Sequence, residues 1–384
     1  MNKRQRIVIA LSGGVDSSVA AFLLKKAGHD VIALFMRNWH DETLIKESQC
    51  PWVEDSHDAL TVAEQLQIPF QIIDLSKEYK KRIVDYMIKE YQEGKTPNPD
   101  ILCNREIKFD VFLQHALKLN ADFIATGHYC QKQEKNGAYQ LIQGLDKLKD
   151  QSYFLCQINQ KQLQKIIFPI GELSKKEVRK IAQKNKLITA DKKDSQGLCF
   201  VGKIKLPVFL QQKIKPKKGS IIEISEHSKL YTKELETGVE INYLEKDGVK
   251  LGEHNGAHYF TIGQRKGITI GGREKPLFVI GTDVKNNIVF VGMGESHPGL
   301  FRINLRIKAH NVHWVNEKHK ILNNQKKELL VRIRHRQSLQ KGLLHMTSEY
   351  LYIIFQNPQR GISKGQFAAW YQKDILMGSG PIDG

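Results

Sequence analysis

Apolar positions in the first half of the chain follow two patterns in alternation. Short continuous runs read as strands buried on both faces, and runs repeating at i, i+3 and i+4 read as amphipathic helices. Residues 6–11 form the first continuous run, and 17–27 the first periodic one, with Val19, Phe22 and Leu23 on one face and Gly28 as a stop. Residues 31–36 predict the next strand, Asp55 is placed to cap a helix carrying Ala59, Val62, Ala63 and Leu66, and 69–75 predicts a strand again. Helices are expected over 79–91, 109–119 and 177–186, and a strand over 121–126 that runs into Gly127-His128-Tyr129. Between two of these helices, 96–109 contains Pro97 and Pro99, which predicts a shaped loop. The alternation is that of a doubly wound α/β domain with a parallel sheet, whose ligands sit beyond the carboxyl ends of the strands.

From about residue 206 the pattern changes to short alternating strands with turn residues between them. β-type pieces surround 258–267, Gly271-Gly272 punctuates a basic loop, and strands are expected over 278–284, 288–291 (after an Asn286-Asn287 turn), 301–308, 328–336, 350–355 and 366–371. Evenly spaced short strands predict a small β-barrel. The expected domains are 1–206, α/β; 207–275, central and mostly β; and 276–384, a C-terminal β-barrel.

A chain of 384 residues is too long for one hydrophobic core, which agrees with that division. Its formal charge of +18 favours a polyanionic partner, nucleic acid above all, although a composition biased toward lysine would give the same number. Five cysteines, at 50, 103, 130, 156 and 199, make an odd count without a CxxC, which fits a reducing compartment and excludes a zinc framework. There is no apolar run of about 20 residues, and the first strand starts too close to Met1 for a signal peptide, so a cytoplasmic protein without a membrane span is expected.

The candidate chemistry begins at the first strand-to-helix turn, Ala10-Leu11-Ser12-Gly13-Gly14-Val15-Asp16-Ser17-Ser18. Paired glycines and a helix N-terminus make a seat for an anion, here a phosphate. The turn lacks the Lys-Ser/Thr of a Walker loop, so no residue in it reaches β- and γ-phosphates as a Walker lysine does; Asp16 offers a carboxylate suited to Mg²⁺ instead. Cys103 and Cys199 each lie in a segment of unusual composition, as two thiols brought together by folding would.

SGGVDSS, PNPDILCNREIKF, ATGHY, KDQSYFL, DSQGLCFVG, HYFTIGQRKGI and NPQRGISKGQFAAWY together resemble the bacterial tRNA-specific 2-thiouridylases, from the first strand to the C-terminus. That resemblance implies an N-type PP-loop ATP pyrophosphatase domain, like an adenine nucleotide alpha hydrolase, then a small central domain and a β-barrel, all gripping tRNA. It implies ATP and Mg²⁺, adenylation of the 2-oxygen of a wobble uridine with release of AMP and pyrophosphate, and sulfur delivered from a cysteine persulfide. Cys199 then corresponds to the persulfide carrier, Cys103 to the catalytic thiol, a Cys103–Cys199 disulfide to the oxidised product, and Asp100 to an acid/base.

The family's ATP contacts fall on Ala10 to Ser17, Met36 and Gly127, and its tRNA contacts on Asn98, Pro99, Asp100, Lys149, Asp150, Gln151, Arg334 and His335, with His335 standing where the family has tyrosine. A strand through Arg332 to Arg336 would project its cations toward phosphate, and Gln264-Arg265-Lys266 is a further candidate for backbone contacts. The implied partners are the Lys, Glu and Gln tRNAs and a persulfide donor, either a cysteine desulfurase or a relay carrier. The segment 223–250 is longer than the family's usual hairpin, and Gln196 stands where a small residue is common. Two other readings of the same loop are an amidating synthetase acting on a small molecule, which needs no cysteine pair, and a non-catalytic RNA-binding protein.

Overall fold

The computed structural model describes residues 4–38, 51–193, 206–231 and 241–384. Strands β1 (Arg6–Ala10), β2 (Asp30–Arg37), β3 (Phe70–Asp74) and β4 (Phe123–Ala125) are parallel neighbours. β5 (Cys130–Lys135) and β6 (Ala138–Gln143) leave this sheet as a hairpin, and β7 (Ile166–Ile167) returns to it, giving the order β3-β2-β1-β4-β7. The chain winds one way from β1 to β2 and β3, and the other way to β4, so the turn after β1 lies at the switch point where open α/β sheets bind ligands.

Ile7, Val8 and Ile9 in β1 have no exposed surface. Alternation sends Ile7 and Ile9 to one face, among Val19, Ala20, Val62, Ala63, Val178 and Ala182 of three helices, and Val8 to the other, among Tyr79, Ile83, Met87, Ile107 and Phe112. Burial of each large apolar side chain contributes roughly 1.5–3 kcal/mol, which is what holds helices on both faces. Among the described residues no helix is long and apolar enough to cross a membrane.

Helices occupy most of the expected places, with two corrections. Asp55 lies inside the helix Pro51–Gln65 and is not its cap. The segment 96–109 is mostly helical: Pro99–Leu102, Cys103–Val111 and Phe112–Lys118 follow without a break, the middle part wound as a wider π-turn. Its prolines precede or open the helix. Pro99 occupies the first turn, where its missing N–H costs nothing, and the Asn98 side chain accepts from Ile101 N at 3.3 Å as the N-cap.

β8 (Gly219–Glu223), β9 (Val249–His254), β10 (Leu277–Asp283) and β11 (Ile288–Met293) form a four-stranded sheet in the order β10-β11-β8-β9. The β10–β11 hairpin, beyond the expected break at 275/276, pairs with β8 of the central region. The last sheet holds β12 (Phe301–Lys308), β13 (His313–Trp314), β14 (Lys326–Arg332), β15 (Gln340–Met346), β16 (Tyr350–Arg360), β17 (Phe367–Gln372) and β18 (Ile375–Pro381) around buried Trp314 and Trp370, whose rings meet at 5.3 Å. The β5–β6 hairpin joins this sheet, Leu141 and Ile142 pairing with Leu376 and Ile375, and so ties the α/β unit to the C-terminal one through backbone hydrogen bonds.

Candidate functional site

The turn after β1 is braced by its own serines. Ser17 Oγ accepts from Ser12 N at 3.2 Å and donates to Gly14 O at 3.1 Å, and Ser18 Oγ donates to Gly14 O at 2.8 Å. Gly13 has φ +73°, and a Cβ there would overlap the Asp55 carbonyl of the helix Pro51–Gln65. Gly14 is the extended N-cap of the helix Val15–Lys26, whose first N–H groups have no intrahelical acceptor and point outward at the carboxyl edge of the sheet. Ala10, Leu11 and Val15 are buried, so their side chains anchor the loop and only their backbone can face a ligand.

Gly127, after β4, approaches the same helix start so closely that a Cβ would lie 2.7 Å from Ser17 N and 2.8 Å from the Asp16 carbonyl carbon. Met36, half-buried, is the next-to-last residue of β2, two beyond Leu34, the register partner of Ala10. The fold thus brings the loop, Met36 and Gly127 to one edge.

Asp16 is already engaged. Lys175 Nζ lies 2.7 and 2.8 Å from its two carboxylate oxygens, and Tyr129 donates to it from its hydroxyl at 2.7 Å. Tyr129 is in turn held by its backbone N–H, which donates to Gln151 Oε1 at 3.0 Å. Neither Lys175 nor Tyr129 was a sequence candidate. Ser174 and Glu177 form a capping box that would have placed Lys175 at the start of the helix Lys175–Lys184, but a contact across 159 positions has no local signal.

Cys103 is buried, one helical turn after the half-buried Asp100, so the two share a face. The next residue, Asn104, donates from Nδ2 to Phe154 O at 3.1 Å and fastens this helix to the turn that follows Gln151. Cys199 and Cys50 lie outside the described residues, and with Cys199 the expected disulfide and Gln196. The chain leading toward Cys199 is tied down: Lys192 pairs with Asp55 at 2.7 Å and with Asp58, and Arg179 donates to the carbonyls of Ala190 and Lys192 at 2.9 and 3.1 Å. Burial pushes the Cys156 thiol up to about 12 and raises that of Cys130 strongly, which keeps both protonated and unreactive.

The expected RNA-contacting residues divide. Asp150 is 2% exposed and accepts from Gln143 Nε2, Gly144 N, Ser152 N, Ser152 Oγ and the Arg332 guanidinium at 3.0–3.1 Å. Its side chain is an internal strut at a position where the resemblance implies a tRNA contact; Lys149 beside it is half-buried. The strand expected over 328–336 ends at Arg332, and a turn with Arg336 at φ +66° follows, because Arg332 points inward to Asp150 and the chain must reverse. The row of cations on one strand face is therefore absent. Arg334 donates to the carbonyls of Arg360 and Gly361. His335 donates from Nε2 to Asp150 O at 3.2 Å and packs its ring 4.4 Å from that of Phe154, so one face is taken. Arg265 and Lys266 are exposed.

Comparison with known proteins gives three consecutive family matches: a tRNA methyl transferase HUP domain over 5–203, a tRNA methyl transferase PRC-barrel domain over 208–293, and an aminomethyltransferase β-barrel domain over 304–382. Proteins described as tRNA-specific 2-thiouridylase MnmA from Flavobacterium johnsoniae and Christiangramia forsetii are each 54% identical, over 98% of this chain and all of theirs. One of the same description from Halalkalibacterium halodurans is 42% identical over 99% of this chain and 95% of its own. With relatives this similar over their full length, the chain belongs to the tRNA-specific 2-thiouridylase family.

Proposed function

We propose that the chain is an ATP-dependent tRNA-uridine 2-sulfurtransferase acting on the wobble uridine. The observation that carries this is the full-length likeness to relatives of that description, with the glycine turn built as an anion seat at the sheet's switch point. In the proposed reaction the uridine 2-oxygen attacks the α-phosphorus of ATP and pyrophosphate leaves. The loop amides and the helix N-terminus oppose the charge that develops on it. The terminal sulfur of a Cys199 persulfide then bonds to C2 as the C–O bond to AMP breaks. Cys103 attacks Cys199 Sγ, the S–S bond to the transferred sulfur breaks, and 2-thiouridine is released with a Cys103–Cys199 disulfide that an external thiol reduces. Asp100, on the same helix face as Cys103, takes the thiol proton.

Mg²⁺ fits as a passenger of the nucleotide. Among the described residues no group of three or more His, Cys, Asp or Glu side chains could hold a resident metal, but an ion bringing phosphate and water ligands needs only one carboxylate, and Asp16 supplies it. Such an ion would neutralise charge on the departing pyrophosphate. The substrate tRNAs are those for Lys, Glu and Gln, the persulfide comes from a cysteine desulfurase or a relay carrier, and the reaction takes place in the reducing cytoplasm. The test is ATP cleavage with labelled nucleotide: AMP and pyrophosphate form only when unthiolated tRNA is present, whereas cleavage indifferent to tRNA but stimulated by a small carboxylate would overturn the reading.

A further inference from the structure

We propose that Lys175 is the phosphate-binding cation of this site, held by Asp16 until ATP enters and then transferred to the β- or γ-phosphate. This rests on the reading of the glycine turn as an ATP site and adds to it the residue that the turn lacks. A Walker loop carries its lysine within the loop; Ser12 to Ser18 has none. The helix Lys175–Lys184 supplies one across 159 positions, with Nζ 2.7 and 2.8 Å from the two oxygens of Asp16.

Asp16 is the second residue of the helix Val15–Lys26, so the ammonium group lies within about one turn of the Gly13-Gly14 amides. The Lys175 side chain is only 12% exposed, so its charge stands at the loop in a poorly hydrated place where an anion gains most from it. A triphosphate seated on the loop amides brings more charge to that ammonium than one carboxylate does.

The surroundings suit a transfer. The base of Lys175 is fixed: its backbone N–H donates to Asp146 Oδ2 at 3.0 Å, and the Ser174–Glu177 capping box holds the turn. The four-carbon stem above is flexible and ends in a point charge with rotatable donors. Nζ lies 5.8 Å from the Tyr129 ring centre, which offers a cation–π face, and the Tyr129 hydroxyl keeps a hydrogen bond on Asp16 when the lysine departs. Asp16, released, is then able to accept the Mg²⁺ that comes with the nucleotide.

The test is equilibrium binding of AMP and of α,β-methylene-ATP, which cannot be cleaved at the reacting bond, to the full chain with and without Mg²⁺. Lys175→Met is expected to weaken the triphosphate analogue by about 10-fold or more while leaving AMP within about 2-fold, as loss of one charged contact to the outer phosphates would. The double variant Asp16→Asn/Lys175→Met separates two roles. Read without Mg²⁺, where Asp16 has no ion to hold, the double variant restores analogue binding if Lys175 only neutralises Asp16, which would overturn the proposal; continued weak binding there supports it. Wild-type affinity in Lys175→Met would also overturn it. A wild-type protein that binds neither AMP nor the analogue would overturn the ATP reading itself, and this proposal with it.

Discussion

Gly127 and Gly13 show how single residues set the site. Neither position has room for a Cβ: at Gly127 it would meet Ser17 N at 2.7 Å, and at Gly13 it would overlap a carbonyl while φ is +73°. Gly127→Ala must push the strand end away from the helix start, and kcat/KM for ATP should fall by about 10-fold or more, since displacements near 1 Å are costly in active sites. Steady-state kinetics at saturating tRNA checks this; unchanged kcat/KM would show that the close approach has no functional weight. The glycines of the loop were legible in the sequence because their backbone demands are local. Lys175 and Tyr129 were not, because what brings them to the loop is a tertiary contact to Asp16.

At the scale of elements, the helix 99–118 is capped by Asn98 and carries Asp100 and Cys103 on its first turns. Reading Pro97 and Pro99 as breakers missed that proline is also favoured at the start of a helix, where the N-cap asparagine begins the count. Asn98→Ala removes the cap to Ile101 N and should cost about 1 kcal/mol, with Asn98→Asp recovering most of it. Urea unfolding at matched pH measures both variants, and an unchanged midpoint for Asn98→Ala would contradict the cap. The parallel strands and amphipathic helices were legible because burial on both faces imposes periodicity. The turn after Arg332 was hidden because alternating charge reads as a strand unless the inward pull of Asp150 is known.

The molecule as a whole is joined where no composition signal marks it. The β5–β6 hairpin enters the C-terminal sheet, and the Asp150–Arg332 pair, its side chains 1% and 6% exposed, links the turn after that hairpin to β14. Arg332→Ala leaves a buried carboxylate without its cation and should cost about 3–5 kcal/mol, whereas Asp150→Asn/Arg332→Met should lose less than the single change. Thermal unfolding of the three proteins decides this.

Acid should also loosen the molecule. His254, His258, His297 and His313 are each held below the ordinary 6.5 by burial, so the folded chain keeps them neutral while the unfolded chain binds protons below that pH. Stability they contribute is present above 6.5 and is lost as pH falls from there toward their lower folded values. Unfolding midpoints at pH 7 and pH 5.5 should show the decline, and a midpoint that does not fall would contradict it. With +18 formal charges, tRNA affinity should drop steeply with salt, a slope readable in filter binding.

In the proposed reaction sulfur reaches the tRNA uridine through two thiols, Cys103 and Cys199. Its most direct test is mass spectrometry of tRNA nucleosides after incubation with Mg-ATP, a persulfide donor and the wild-type chain, Cys103→Ser or Cys199→Ser. Wild type should give 2-thiouridine and Cys199→Ser none, although that variant still forms AMP and pyrophosphate; Cys103→Ser should stop at the persulfide-linked stage. Normal 2-thiouridine from Cys199→Ser would contradict it.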